Sequence, residues 1–141
     1  MERTRLDRRP PATAPPAKGF RKAILLLERG SKEAFWDCRM CGQCILHSTG
    51  RSCPMRCPKN LRNGPCGGVL QNGHCEVLPD EPCVWVEAWE GSRRLPIWRD
   101  HIQHVQKPVD WRLQETSSWE NLLTRRDGYA PPAWAAYDAK E

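Results

Sequence analysis

The stretch from Cys38 to Cys83 decides the fold, because it contains all eight cysteines of the chain. It begins with Cys38-Arg-Met-Cys41-Gly-Gln-Cys44, continues with Cys53-Pro-Met-Arg-Cys57-Pro, and ends with three isolated cysteines, Cys66, Cys75 and Cys83. Ionised thiols cannot form a hydrophobic core by themselves, so this stretch must be held together by disulfides, zinc or iron–sulfur clusters. Deciding among these three is the main functional question.

The composition predicts a single small domain that cannot be stabilised by its own core. The chain has 141 residues, of which 39% are hydrophobic, and it contains 10 glycines and 13 prolines. Its mean hydropathy is −0.72. Domains that bury little apolar surface usually depend on cross-links or bound metals. The predicted fold class is therefore a small metal-stabilised cysteine-rich domain of irregular loops, with short α-helices and little β-structure.

No signal peptide is visible at the N-terminus, and the longest apolar run, Ala23 to Leu27, is far too short to span a membrane. We therefore expect a cytoplasmic protein without a membrane partner. Because thiols are kept reduced in the cytosol, this location argues against disulfides and in favour of metal.

The positive charge of the chain is concentrated beside its cysteines. The formal net charge is +5 at pH 7, and the segment between Cys38 and Cys66 contains five basic residues and no acidic one. Nearby cations offset the charge of thiolates and favour the deprotonated, metal-binding form, although a solvated basic face is the alternative. The five residues are Arg39, Arg51, Arg56, Lys59 and Arg62. Nucleic acid is disfavoured as a partner, because the aromatic residues lie mostly outside this segment and no nucleic-acid motif is present.

Composition divides the chain into four segments. Residues 1–19 are rich in proline and charge and predict a flexible arm. Residues 20–37 predict short helices, residues 38–83 form the cysteine-rich metal-binding module, and residues 84–141 form a tryptophan-rich tail.

Two short helices are predicted in residues 20–37. Phe20, Ala23, Ile24 and Leu27 recur at the spacing of one helix face, which we expect to complete the core of the domain. Gly30 is predicted to end this helix, and the next residue, Ser31, to cap the second one.

The tail predicts a partner-docking segment, since tryptophan is favoured at the centres of protein contacts. Packing of the same side chains on their own domain is the alternative. The docking candidates are Trp85, Trp89, Trp98, Trp111 and Trp119. Within the tail, Ser117-Ser-Trp-Glu120 has the pattern of a capping box and predicts a helix that Gly128 stops.

The cysteine spacing favours at least one [4Fe–4S] cluster. Two CxxC steps that share Cys41 place three thiolates on one tight loop, and the fourth ligand of such a cluster is commonly a distant cysteine followed by proline. Cys53 and Cys57 both precede a proline. All eight cysteines are candidate metal ligands and divide into two sets of four, giving one or two clusters, but the spacing does not say which cysteines group together. Zinc is the competitor, because any four thiols could form a closed tetrahedral site.

No catalytic triad or phosphate-binding loop appears, so we do not expect the chain to be catalytic alone.

Several motifs together resemble the cysteine-rich module associated with methylenetetrahydrofolate reductase. They are Cys38-Arg-Met-Cys41-Gly-Gln-Cys44, Cys53-Pro-Met-Arg-Cys57-Pro-Lys59, Leu61-Arg-Asn-Gly-Pro-Cys66-Gly-Gly68, Gly73-His-Cys75-Glu-Val and Cys83-Val-Trp85. In that family the module is the C-terminal part of a reductase-associated protein or a small separate subunit, as in acetogenic bacteria. The resemblance covers roughly residues 20–120. It implies that the eight cysteines ligate iron–sulfur clusters, with zinc as a further metal.

The resemblance also implies a partner, a flavin-containing TIM-barrel reductase that converts 5,10-methylene- to 5-methyltetrahydrofolate. Flavin and folate would sit on that partner only. The leading hypothesis is an accessory subunit of this one-carbon pathway that relays electrons to the flavin. The alternative is a zinc-stabilised adaptor that binds and stabilises the reductase without redox activity.

Overall fold

The computed structural model describes residues 18–128. The predicted arm lies outside this range except for its last two residues, as does the part of the tail beyond Gly128. The described residues form three α-helices: α1 (Phe20–Trp36), α2 (Val84–Arg93) and α3 (Ser118–Leu123). Short 3₁₀ turns lie at Pro54–Arg56, Arg99–Gln103, Trp111–Leu113 and Arg126–Gly128. Within residues 18–128, β-structure is limited to two isolated bridges, Val69 with Cys75 and His74 with Pro82. The predicted class of short helices and loops with little β-structure is confirmed.

The predicted break at Gly30 was wrong, because α1 runs through it as one helix of 17 residues. Ser31 does not cap a second helix; its hydroxyl donates to the carbonyl oxygens of Leu27 and Glu28, at 2.9 and 3.1 Å. A buried ion pair between Glu28 and Lys32 spans the glycine, with 2.6 Å between Lys32 Nζ and Glu28 Oε1. That pair holds the two turns together where the glycine alone would favour a stop.

Three of the four α1 residues predicted to face the core, Phe20, Ala23 and Leu27, are exposed, and only Ile24 is half-buried. Phe20 and Leu27, predicted to complete the core, are 80% and 68% exposed. Glu28 and Lys32 are instead the buried residues of the helix. Glu28 and Lys32 can be buried because Ser117 and Ser118, about 90 residues further along the chain, form hydrogen bonds with them inside the domain.

The core consists of two small clusters, and cysteines belong to both. One cluster contains Cys57, Cys83, Val84, Trp85 and Ala88. The other contains Cys41, Cys53 and Met55, with Trp111 packed against it. Trp85 is only 7% exposed, which corrects its assignment as a docking residue. Its indole fills the space between α2 and the loop at Gly64.

Residues 110–128 close over the first cysteine loop and do not form a free tail. The amide of Glu115 donates to the carbonyl oxygen of Met40 at 2.8 Å, and Asn121 Nδ2 donates to that of Gly42 at 2.9 Å. The N-cap of the predicted capping box is confirmed, since the Ser117 hydroxyl accepts a hydrogen bond from the Glu120 amide at 3.2 Å, but the Glu120 carboxylate pairs with Arg21. Helix α3 ends at Leu123, however, before the predicted stop at Gly128.

No helix within residues 18–128 combines the length and the apolar character needed to cross a lipid bilayer.

Gly50 and Gly91 form a backbone crossing that ties the first cysteine loop to α2. A Cβ at Gly50 would lie 2.1 Å from the amide nitrogen of Ser92, and the φ angle of Gly50 is +56°. We expect Gly50→Ala to lower the free energy of unfolding by about 2–3 kcal/mol, combining overpacking with left-handed strain. Gly73→Ala is the matched control, because Gly73 also has a positive φ (+83°) but has nothing within 4 Å of its Cβ position. Urea unfolding measures the free energy of unfolding of both variants. Equal losses of stability in the two variants would contradict a close backbone contact at Gly50.

Candidate metal centre

The first cavity is lined by four thiols, those of Cys38, Cys41, Cys44 and Cys53. Its volume is about 20 Å³, and Glu28, Lys32 and Arg62 complete its charged lining. Cys41 and Cys53 are buried, Cys38 is half-buried and Cys44 is exposed. Three of these thiols come from the CxxCxxC loop, and the fourth is the cysteine that precedes Pro54.

Local backbone conformation brings the first three thiols together. Met40 and Gly42 both adopt positive φ angles, 46° and 75°, so the chain reverses twice within the CxxCxxC loop. A Cβ at Gly42 would lie 2.2 Å from the carbonyl oxygen of Leu113, so only glycine fits beneath the closing segment. The Met40 amide donates to Cys38 Sγ at 3.4 Å. Amides that donate to sulfur stabilise the thiolate form that binds metal.

The second cavity is lined by the other four thiols, those of Cys57, Cys66, Cys75 and Cys83. Backbone hydrogen bonds close the loops that carry them, including one from the Cys83 amide to the Gly73 carbonyl oxygen at 3.0 Å. Cys66 Sγ accepts hydrogen bonds from the Gly68 amide at 3.3 Å and from Lys59 Nζ at 3.5 Å. Like the first set, this one has two buried thiols, one half-buried thiol and one exposed thiol.

The structure therefore groups the cysteines in chain order, the first four in one cavity and the last four in the other. Cys53 and Cys57 both precede a proline, yet they belong to different cavities. The 3₁₀ turn Pro54–Arg56 lies between them and turns their side chains to different clusters. Among the described residues, no three His, Cys, Asp or Glu side chains converge closely enough to hold a single metal ion in their present positions.

The first cavity favours one thiolate before any metal binds. The Cys38 thiol donates a hydrogen bond to Cys53, which lowers the pKa of Cys53 to about 6 and raises the pKa of Cys38. The Arg39 and Met55 amides also donate to Cys53 and lower its pKa further. Burial raises the pKa of Cys41, and the nearby Arg62 guanidinium opposes that effect. Of this pair, Cys53 is therefore the thiol that loses its proton first, which favours the thiolate form that metals require.

A buried ion pair forms one wall of the first cavity. Glu28 is fully buried and accepts hydrogen bonds from Lys32 Nζ, from the Ser118 amide at 3.1 Å, and from the hydroxyls of Ser117 and Ser118. Burial alone would raise the pKa of Glu28, but these hydrogen bonds outweigh it and the pKa is lowered. Burial lowers the pKa of Lys32. Its proximity to Cys44 and its bond to Glu28 together raise the pKa by more, so the pKa is raised overall. The pair is therefore ionised, with its positive end near the thiols.

Four buried nitrogen atoms have no hydrogen-bond partner among the described residues: Arg39 Nε, Arg62 Nε, Arg62 Nη1 and Trp85 Nε1. Arg62 lines the first cavity and Trp85 the second, but both also line a third cavity of about 200 Å³, and Trp85 Nε1 lies against Gly64 on that side. Arg62 is held in place by its other terminal nitrogen, Nη2, which donates to the carbonyl oxygen of Gln43 at 2.8 Å. Unsatisfied buried donors are rare and require an explanation.

The basic residues predicted to offset the thiolate charge have different roles. Arg62 lies against the first cavity and Lys59 against Cys66 of the second. Arg56 lines the second cavity and also pairs with Glu87 on α2 at 2.9 Å. Lys32 was missed by the sequence interpretation, because it lies outside the cysteine-rich segment. The signal that could have found it is the Glu28–Lys32 spacing of four residues on one helix face.

The predicted docking tryptophans do not form one surface. Trp89, Trp98 and Trp119 are 48%, 49% and 41% exposed. Trp111 packs on the cluster of Cys41, Cys53 and Met55. Trp119 is partly covered by Lys32, whose Nζ lies 5.2 Å from the ring centroid. Docking through the three exposed rings stays a prediction.

Short helices, tight loops and two four-thiol cavities define a small cysteine-rich module. This chain belongs to the family described as "Methylene-tetrahydrofolate reductase C terminal", whose match covers residues 18–112. The resemblance noted from the motifs is thereby confirmed at the level of the family. Comparison with curated proteins and with solved structures found no match.

Proposed function

We propose that this chain is the iron–sulfur subunit of a methylenetetrahydrofolate reductase system and passes electrons to the flavin of a partner reductase. The observation that carries the proposal is the division of eight thiols into two cavities of four. Four cysteine thiolates are the usual ligand set of a [4Fe–4S] cluster. Cys38, Cys41, Cys44 and Cys53 would hold one cluster, and Cys57, Cys66, Cys75 and Cys83 the other. A bound cluster supplies single-electron exchange at each site.

Arg62 supports a cluster over a single zinc ion in the first cavity. Two of its guanidinium nitrogens, Nε and Nη1, are buried without a partner among the described residues, and Arg62 lines this cavity. Each buried unpaired donor costs about 1–3 kcal/mol. A Cys₄ zinc site adds no hydrogen-bond acceptor beyond the thiolates themselves, whereas the inorganic sulfides of a cluster are additional acceptors.

The protein's own contribution is charge compensation and exclusion of water. Arg62 and Lys32 lie in the lining of the first cavity and offset its negative charge. Residues 110–128 cover this loop through the Met40 and Gly42 carbonyl bonds. The second cavity has Lys59, which contacts both Cys66 and Glu76.

The zinc adaptor is the second candidate, and the small size of the cavities favours it. A volume of about 20 Å³ in the first cavity corresponds to a single small occupant, and Cys38 is hydrogen-bonded to Cys53 across it. A cluster requires these thiols to turn outward. A side-chain torsion held about 30° from a staggered rotamer costs about 0.5–1.5 kcal/mol, so each such rotation has a modest cost.

Electron transfer to the reductase separates the two candidates. The metal-loaded chain is reduced without oxygen, freed of reductant, and mixed with the oxidised flavin-containing reductase while flavin absorbance is followed. The relay predicts flavin reduction that requires the loaded chain and stops in a Cys41→Ser, Cys83→Ser double variant. An adaptor predicts a higher melting temperature of the reductase with no flavin reduction, and that result would overturn the relay.

Arg62 gives a prediction specific to the first site. In a Cys83→Ser background, in which only the first set of four thiols is complete, Arg62→Met is expected to reduce iron retention against a chelator about tenfold or more. The reason is the loss of charge-assisted hydrogen bonds worth about 1.5–3 kcal/mol. Arg93→Met is the control, because Arg93 is exposed at the end of α2. Equal iron retention in the two variants would show that Arg62 has no role at the metal.

A further inference from the structure

Helix α1 presents a continuous apolar stripe to solvent. Phe20, Leu27 and Leu26 are 80%, 68% and 58% exposed. Positions three and four residues apart share a helix face, so the exposed small residues Ala23, Gly30 and Ala34 extend the same stripe. The stripe is defined here as Phe20, Ala23, Leu26, Leu27, Gly30 and Ala34.

The domain does not use this stripe for its own packing. The opposite side of α1 carries Glu28 and Lys32, which are buried against α3, and the half-buried Ile24 and Leu25. In a surface helix the apolar side normally faces the core. Here the apolar side faces outward, and contiguous exposed apolar surface of this kind usually marks a protein contact.

We propose that the α1 stripe is the surface on which the flavin-containing reductase docks, an inference that rests on the proposed function. The family match begins at residue 18, so α1 is the first element of the matched module. In a family described as the C-terminal part of a reductase, the first element of the module is the one next to the preceding reductase chain. Most of the segment that closes over the first cysteine loop, residues 113–128 of 110–128, lies beyond the match.

The chemistry of the stripe defines the partner's surface. Ala23, Gly30 and Ala34 have little or no side chain, so a partner helix can approach the α1 backbone closely. Lys22 is exposed beside the stripe, whereas Arg29 is already paired with Glu33 and Glu115, at 2.8 and 3.1 Å. The partner should therefore offer an apolar ridge. Because Glu28 and Lys32 line the first cavity from the other side of α1, the docked partner would lie about one helix diameter, roughly 10 Å, from that cavity.

The test measures binding of the metal-loaded full chain to the purified flavin-containing reductase. Leu27→Glu is expected to weaken binding about 30-fold or more, the size of a hot-spot effect, with metal content unchanged. Ala23→Glu is a second stripe variant at an exposed helix position that glutamate tolerates well. Ile97→Glu is the matched control, because Ile97 is 63% exposed and lies outside the stripe. It should leave affinity within about threefold, as rim positions do.

The other outcomes of this binding experiment show whether the docking surface alone is overturned or the proposed function as well. Unchanged affinity in both stripe variants, with wild-type binding intact, overturns the docking surface and leaves the proposed function standing. Loss of binding in Ile97→Glu alone moves the interface elsewhere and also overturns it. A wild-type chain that does not bind the reductase overturns the docking surface and the proposed function together. A wild-type dimer that Leu27→Glu dissociates identifies a second copy as the occupant and overturns the reductase as partner.

Discussion

Replacing Cys41 by serine is expected to reduce the iron content of the protein from about eight atoms per chain to about four, as for the loss of one of two four-iron clusters. Cys41 lines only the first cavity, and the four thiols of the second cavity come from other loops. Serine keeps the shape of the side chain but does not supply the soft thiolate ligand that iron–sulfur clusters select. Because metal binding and folding are coupled, the first loop and α1 should also lose protection in hydrogen exchange.

Cys83→Ser is the matched variant for the second cavity, since Cys83 and Cys41 are both 8% exposed. It should remove the other half of the iron and leave α1 protected. Iron and sulfide analysis of both variants, with electron paramagnetic resonance of the reduced proteins, tests the grouping. If either substitution empties the protein of all metal, the two sets do not form independent centres. If the Cys41 variant keeps its full iron content, the assignment of Cys41 as a ligand is wrong.

Replacing Glu28 by alanine is expected to lower the free energy of unfolding by about 3–5 kcal/mol, because it breaks a buried ion pair and leaves Lys32 only the thiols of the first cavity as counter-charge. Glu28 is completely buried and also holds the N-terminal end of α3 through Ser117 and Ser118. Lys32 would keep a hydrogen bond with the Ser118 hydroxyl, at 2.6 Å, which cannot compensate for its charge. The measurement is urea unfolding of the metal-loaded protein without oxygen.

Glu33→Ala is the control for this loss, because it removes another glutamate from the same helix. Glu33 pairs with Arg29 at 2.8 Å, but both side chains are about half exposed. An exposed pair of this kind contributes about 0.3–0.5 kcal/mol. Glu28→Gln should lie between the two, since glutamine preserves the size of the side chain and part of its hydrogen bonding. A loss in Glu28→Ala no larger than in Glu33→Ala would contradict a structural role for the buried pair.

Local signals in the sequence predicted local structure well. The cap at Ser117 follows from a four-residue pattern, and the dominance of loops in residues 38–83 follows from their turn-forming residues. The path of α1 through Gly30 could not be predicted in the same way. It depends on Glu28 finding Ser117 and Ser118, about 90 residues further along the chain. An isolated helix pattern carries no information about such a partner, so the apolar side was assigned to the core.

The metal region shows the same division between local and distant information. The CxxCxxC spacing predicts that Cys38, Cys41 and Cys44 act together, because only a few residues separate them. Which thiol completes this set depends on the path of the loop from residue 45 to 52. The prolines after Cys53 and Cys57 do not show which of these two cysteines it is. Trp85 was assigned to docking because composition alone does not show that α2 turns it inward. Its burial follows from contact with Gly64, a residue 21 positions earlier in the chain.

The most direct test of the account is the iron, acid-labile sulfide and zinc content of the full chain purified without oxygen. Two four-iron clusters predict about eight iron and about eight sulfide per chain, with broad visible absorption that bleaches on reduction. Stoichiometric zinc with no iron or sulfide would contradict the electron relay and leave a protein whose thiols serve only to hold its loops in place.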